Sequence, residues 1–164
     1  MGEQQQQPRV FELELVVNGR PHALTVAYNE LLLDVLRERL GLTGAKRSCD
    51  VEICGACTVL IDEVPVSACT TLAWEARGRR VETVEGLAHA DGLHPIQQAF
   101  IDHFALQCGY CTPGMLMATR ALLEEVPAPT EAEIRHYLSG NICRCTGYHA
   151  IVEAVQAAAV GTTA

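Results

Sequence analysis

Cys49-Asp-Val-Glu-Ile-Cys-Gly-Ala-Cys57 sets three thiols at x4 and x2 spacing, and Cys69 follows a short strand later. That is the spacing of a plant-type [2Fe–2S] centre, which takes four cysteine thiolates. A loop of this kind wraps one iron and reaches a second while its backbone N–H groups turn towards sulfur. Those donors stabilise the negative charge that reduction adds. Gly55, between two of the thiols, lets the backbone come close where a Cβ would clash.

Around this loop the first half reads as strands. Phe11, Leu13, Leu15 and Val17 alternate onto one face, Asn18-Gly19 is a tight hairpin turn, and His22 to Val26 returns as the partner strand. Asn29 is placed to cap a helix from Glu30 to Leu40, with Leu32, Leu33, Leu36 and Leu40 at helical spacing. Thr58 to Ile61, Val66 to Cys69 and Val81 to Val84 read as further strands, with Asp62-Glu63 as a turn.

After Gly86 the period changes to that of helices. Pro95 opens one that presents Ile96, Ala99, Phe100 and Phe104, and Thr112-Pro113 opens a second running to Glu125. Thr130-Glu-Ala-Glu133 has capping-box form for a third, carrying Ile134, Tyr137 and Leu138; a fourth spans Tyr148 to Val160. The expectation is an α+β chain of two domains, residues 1–86 and 87–164, meeting near Leu87 to Gly92, with four cysteines in each.

The second set is Cys108-x2-Cys111 and Cys143-x-Cys145, from two interhelical loops that can meet at one end of a bundle. The helix starting at Thr112 would bring its positive end to these thiols. A disulfide between Cys143 and Cys145 would be strained, although a bridge to another loop is possible. Structural zinc is the alternative in either set, less so in the first because x4-x2 is not a zinc pattern. A thioredoxin-type CxxC lacks its βαβ setting. The six histidines are not needed as ligands; His94 and His149, near helix starts, suit capping or surface roles.

The chain has 164 residues, 49% of them apolar and 5% aromatic, with a formal charge of −8. That charge argues against nucleic acid and suits docking on protein partners. No apolar run approaches a membrane span, and Met1 to Pro8 reads as a glutamine-rich tail rather than a secretory signal, so a cytoplasmic location is expected. In that reducing compartment clustered thiols point to metal rather than disulfides.

Four motifs carry a resemblance: Leu32-Leu-Asp-Val-Leu-Arg-Glu-Arg-Leu-Gly-Leu-Thr-Gly44, Cys54-Gly-Ala-Cys-Thr-Val59, Gln107-Cys-Gly-Tyr-Cys-Thr-Pro-Gly-Met115 and Leu138-Ser-Gly-Asn-Ile-Cys-Arg-Cys-Thr-Gly-Tyr148. In order and interval, from Phe11 to Ala157, the chain resembles the iron–sulfur subunit of the xanthine oxidase family of molybdenum hydroxylases, including the small subunit of aerobic carbon monoxide dehydrogenase. The resemblance implies an N-terminal β-grasp, plant-type ferredoxin-like domain followed by a C-terminal four-helix bundle, each holding a [2Fe–2S] cluster. Cys49, Cys54, Cys57 and Cys69 would hold the outer cluster, nearer a flavin; Cys108, Cys111, Cys143 and Cys145 would hold the inner one. Gln107 and Cys145 would contact a molybdopterin, in its cytosine dinucleotide form, across a subunit interface.

The implied function is electron transfer. A large molybdopterin-binding subunit would hydroxylate its substrate, and electrons would leave through the inner and then the outer cluster to FAD on a medium subunit, in a dimer of heterotrimers. No residue of this chain is then a catalytic acid, base or nucleophile. Two rivals are a free ferredoxin-like carrier, which has no need of the helical half, and a zinc-stabilised interaction module. Ser48 and Glu52 stand where the family often has glycine.

Overall fold

The computed structural model describes residues 9–88 and 92–161. The glutamine-rich start and part of the expected junction near Leu87 to Gly92 lie outside the described residues. Five strands form one mixed sheet: β1 (Val10–Val17), β2 (Arg20–Ala27), β3 (Thr58–Ile61), β4 (Val64–Ser67) and β5 (Arg80–Glu82), in the order β2-β1-β5-β3-β4. β1 runs parallel to β5, while the β1–β2, β3–β4 and β3–β5 pairs are antiparallel. Asn18 and Gly19 take φ of 48° and 75°, the left-handed pair a two-residue hairpin needs.

The alternation in β1 works as read. Leu13, Leu15 and Val17 are buried, whereas Phe11 sits at the margin against Tyr28, with ring centroids 5.3 Å apart. Opposite them lies a helical segment shorter than the expected Glu30–Leu40 helix: α1 (Leu32–Asp34) passes into a π-helical turn, Val35–Arg39. Asn29 does not cap it. The first amides are taken by distant carbonyls instead, Leu32 N–H by Thr71 O at 2.8 Å and Leu33 N–H by Ala68 O at 3.0 Å. A tertiary partner has replaced the local cap and tied the helix to the segment that carries Cys69.

The helical half contains α2 (Pro95–Asp102), α3 (Thr112–Glu125), α4 (Glu131–Tyr137) and α5 (His149–Gly161). His94 caps α2 through its ring, accepting from Ile96 N–H, and Thr130 forms the expected capping box with Glu133. His149 pairs with Glu153 at the surface. Met115, Leu122, Ile134, Ile151 and Val155 fill the core between these helices. Phe104 departs from expectation: α2 has ended, the chain turns left-handed at φ 52°, and the ring stands 84% exposed instead of joining the helix face.

The two cores share a wall. All four residues of β3 are buried. Val59 and Ile61 join the sheet's own core, while Leu60 belongs to the helical core beneath α3. A strand covered on both faces loses the polar alternation of a half-exposed one, which is why Thr58-Val-Leu-Ile61 reads as an apolar run.

Candidate iron–sulfur centres

The first thiols sit on the loop that joins the π-helical turn to β3, with Cys69 just past β4. Cys49 Sγ accepts from Ile53 N–H at 3.4 Å. Amide donors from Val51, Ile53 and Cys54 hold its pKa down to about 6, against an ordinary 9.0. The loop turns those donors inward by taking left-handed backbone at Asp50 (φ 55°), Glu52 (φ 59°) and Gly55 (φ 66°). Glu52 thus occupies a conformation that suits glycine, and its carboxylate accepts from Thr70 Oγ1 at 3.3 Å, beside Cys69. Cys57 and Cys69 are buried against each other; burial drives the Cys57 thiol up to about 12.

The second thiols come from the α2–α3 and α4–α5 loops. All four line one cavity of about 230 Å3, together with Cys54 of the first loop, Ala56 and Tyr110. Cys145 and Cys108, both exposed, lie with their sulfurs 3.5 Å apart. Cys111 and Cys143 form the inner pair. Burial pushes Cys111, the residue before α3, up to about 12, with the neighbouring Cys143 acting in the same direction. For Cys143 burial also acts upward, but the Thr146 hydroxyl donating at 3.1 Å and amides of Thr146 and Cys145 outweigh it, and the net shift is down.

The thiols therefore meet in twos: Cys49 with Cys54, Cys57 with Cys69, Cys108 with Cys145, and Cys111 with Cys143. A [2Fe–2S] cluster takes two protein ligands on each iron, so two pairs at each of two places fit it. Burial opposes free thiolate at Cys57 and Cys111, and bound iron would supply the missing positive charge. Among the described residues, no group of three or more histidine, cysteine or acidic side chains is arranged to hold a single metal ion.

Several neighbours had no role in the sequence reading. Thr146 and Tyr148 serve the second set, the Tyr148 hydroxyl accepting from Cys143 N–H at 2.9 Å. Tyr110 donates its hydroxyl to the Arg47 carbonyl, and Arg47 is paired with Asp34 and Asp50. Asn141, only 7% exposed, donates to the Gly55 carbonyl at 3.1 Å. A Cβ at Gly55 would meet Asn141 Nδ2 at 2.5 Å and Gly140 O at 2.6 Å. The glycine thus admits the other half of the molecule. Gln107 is exposed beside Cys108, and Leu106, Tyr110, Ile142 and Phe104 expose apolar surface on the same residues' flanks.

Together the sheet-borne loop and the helix-borne loops define a protein with two [2Fe–2S]-binding units. Residues 15–88 match the family described as 2Fe-2S iron-sulfur cluster binding domain, and residues 83–156 match the [2Fe-2S] binding domain family. The chain is 51% identical, over 88% of its length and 87% of the relative's, to the nicotine 6-hydroxylase small subunit of Paenarthrobacter nicotinovorans. It is 44% identical to the aldehyde oxidoreductase iron-sulfur-binding subunit PaoA of Escherichia coli, covering 93% of this chain and 73% of that one. The crystal structure of quinoline 2-oxidoreductase from Pseudomonas putida 86 superposes with a TM-score of 0.90 at 45% identity, covering 94% of this chain and 96% of that one. The chain belongs to the iron–sulfur small subunits of the xanthine oxidase family of molybdenum hydroxylases.

Proposed function

We propose that this chain is the electron-transfer subunit of a molybdenum hydroxylase, carrying electrons between a partner's molybdopterin site and an acceptor through two [2Fe–2S] clusters. The observation that carries the reading is the gathering of eight thiols into four pairs at two places joined by backbone. Cys49, Cys54, Cys57 and Cys69 hold one cluster; Cys108, Cys111, Cys143 and Cys145 hold the other. The clusters supply one-electron redox chemistry when bound, and the protein contributes ligands, N–H donors and burial.

The strand order with a parallel central pair and a helix on one face supports a β-grasp fold for residues 1–86, and α2 to α5 support a four-helix bundle for residues 87–164. The inner cluster is the second, because Cys108 and Cys145 reach the surface amid apolar side chains. Gln107 and Cys145 stand there for contact with the pterin, on a large catalytic subunit. The other partner is a medium subunit bearing FAD, facing the first loop, and the assembly is a cytoplasmic dimer of heterotrimers. Among the described residues no helix is long and apolar enough to cross a membrane.

The test is metal analysis of the complex purified from its native host through a tag on this chain. Molybdenum at about one per four irons, two irons for each cluster, is the expected result. Iron in a fraction containing this chain alone favours a free carrier, and zinc in a colourless protein overturns the redox reading.

A further inference from the structure

Gly55, in the first cysteine loop, is held by the second half from two sides. On one side Asn141 and Gly140 leave no room for a Cβ on it. On the other, Gly114 of α3 comes so close that a Cβ there would lie 2.0 Å from the Gly55 carbonyl oxygen. Next to this contact, Ile142 N–H donates to Cys54 O at 2.9 Å, so the residue before Cys143 is bonded to a ligand of the first set.

The Asn141 bond is not needed to satisfy the Gly55 carbonyl. That oxygen already accepts from Thr58 N–H at 3.2 Å and from Thr58 Oγ1 at 2.7 Å, both within the first half. The Asn141 amide, with Nδ2 also 3.4 Å from Thr58 Oγ1, is a third donor, and it alone arrives from the other half. A buried amide that adds little to local satisfaction while crossing between two ligand loops acts on their relative placement.

We infer that Asn141 is a positioning residue that sets the separation and orientation of the two cysteine sets, and through them the rate at which electrons pass between the two clusters. The inference rests on the two-cluster reading. Asn141 lies two residues from Cys143, and its acceptor lies between Cys54 and Cys57, so a slip of the amide moves one ligand loop over the other. Gly114 is the complementary element: it permits the approach that Asn141 then fixes.

The experiment compares the parent holoenzyme with Asn141→Ala and Gly114→Ala. Asn141→Ala keeps the Gly55 carbonyl bonded to Thr58 and keeps the Ile142–Cys54 bond, so it is expected to fold and to load both clusters. Electron paramagnetic resonance of the fully reduced protein reads the magnetic interaction between the clusters, and rapid-mixing absorbance reads their equilibration. The expected result is unchanged iron content and unchanged mid-point potentials, a weakened interaction splitting and a several-fold slower equilibration. Gly114→Ala, which wedges the loops apart, changes the splitting in the same direction.

A splitting and rate equal to the parent's in Asn141→Ala overturn the proposal. So does loss of the second cluster from that variant alone, which assigns Asn141 to cluster loading. A parent protein without two iron–sulfur signals fails the function reading itself, and that result is visible before any variant is made.

Discussion

The two cysteine sets each present paired thiols, but they are constructed differently. In the first, one loop supplies Cys49, Cys54 and Cys57, and its own left-handed residues aim amides at sulfur; Cys49 is brought to about 6 by donors no more than five residues away. In the second, Cys108 and Cys111 meet Cys143 and Cys145 only because helices α2 to α5 pack and bring two loops together. Burial pushes one thiol of each set, Cys57 and Cys111, up to about 12, and Cys143 is held down by the nearby Thr146 hydroxyl and by the amides of Thr146 and Cys145. A locally written site is expected to tolerate change in distant packing better than a site assembled by packing.

The strongest way to break this comparison is to remove a thiol. Cys143→Ala is expected to eliminate the second cluster and leave the first loop loaded, reducing iron per chain to about half, since each cluster carries two irons. Iron analysis with visible absorbance checks it; loss of all iron would show that the first loop is not independent.

Next in size is Gly55→Ala. The substitution combines a left-handed φ of 66° with contacts below 3.0 Å to Asn141 and Gly140. The expected cost is about 2–5 kcal/mol from backbone strain and overpacking, read by denaturant unfolding of the loaded protein. If the cost is near zero, the two halves are not in the close contact described.

Tyr110→Phe removes the hydroxyl that joins the second CxxC loop to the Arg47 carbonyl. A loss of about 1 kcal/mol is expected for one net hydrogen bond, with both clusters retained. Thermal unfolding monitored at the cluster absorbance measures it.

The smallest effect sharpens the helical side of the comparison. Glu133 is held below its ordinary value of 4.5 by the Thr130 N–H and hydroxyl. A depressed folded pKa contributes stability that is present above the unfolded value and is lost as pH falls through the folded one. Glu133→Gln is therefore expected to be slightly less stable than the parent near neutral pH, and the difference is expected to shrink once pH falls below 4.5. Melting curves of both proteins across that range check the sign.

Several of these features were legible in the sequence because their causes are local. Asn18-Gly19, Thr130 with Glu133, and Thr112-Pro113 each act within a few residues, and each appears where expected. Alternation in β1 and helical spacing in α3 and α5 held for the same reason. Asn29 does not cap because the outcome there depends on distant chain, whereas Phe104 leaves the helix face for a local reason that the helical period does not reveal. The Leu32 and Leu33 amides at that helix start donate to the Thr71 and Ala68 carbonyls, and Phe104 lies within a turn closed by its own N–H to Ile101 O and by Ala105 N–H to Phe100 O. Glu52 carried a partial signal: its left-handed φ gives the reason that position suits glycine.

By itself, then, the sequence determined the eight thiols, their division into two sets and the type of element around each, because cysteine spacing and hydrophobic period are properties of neighbouring residues. Only the tertiary structure decided which thiol faces which, that β3 serves two cores, and that Asn141, Gly55 and Gly114 bring the sets together. Those contacts join residues up to 86 positions apart along the chain, and no spacing rule reaches that far. Packing does, because a buried amide and two bare Cα positions can fit together only in one arrangement of the halves.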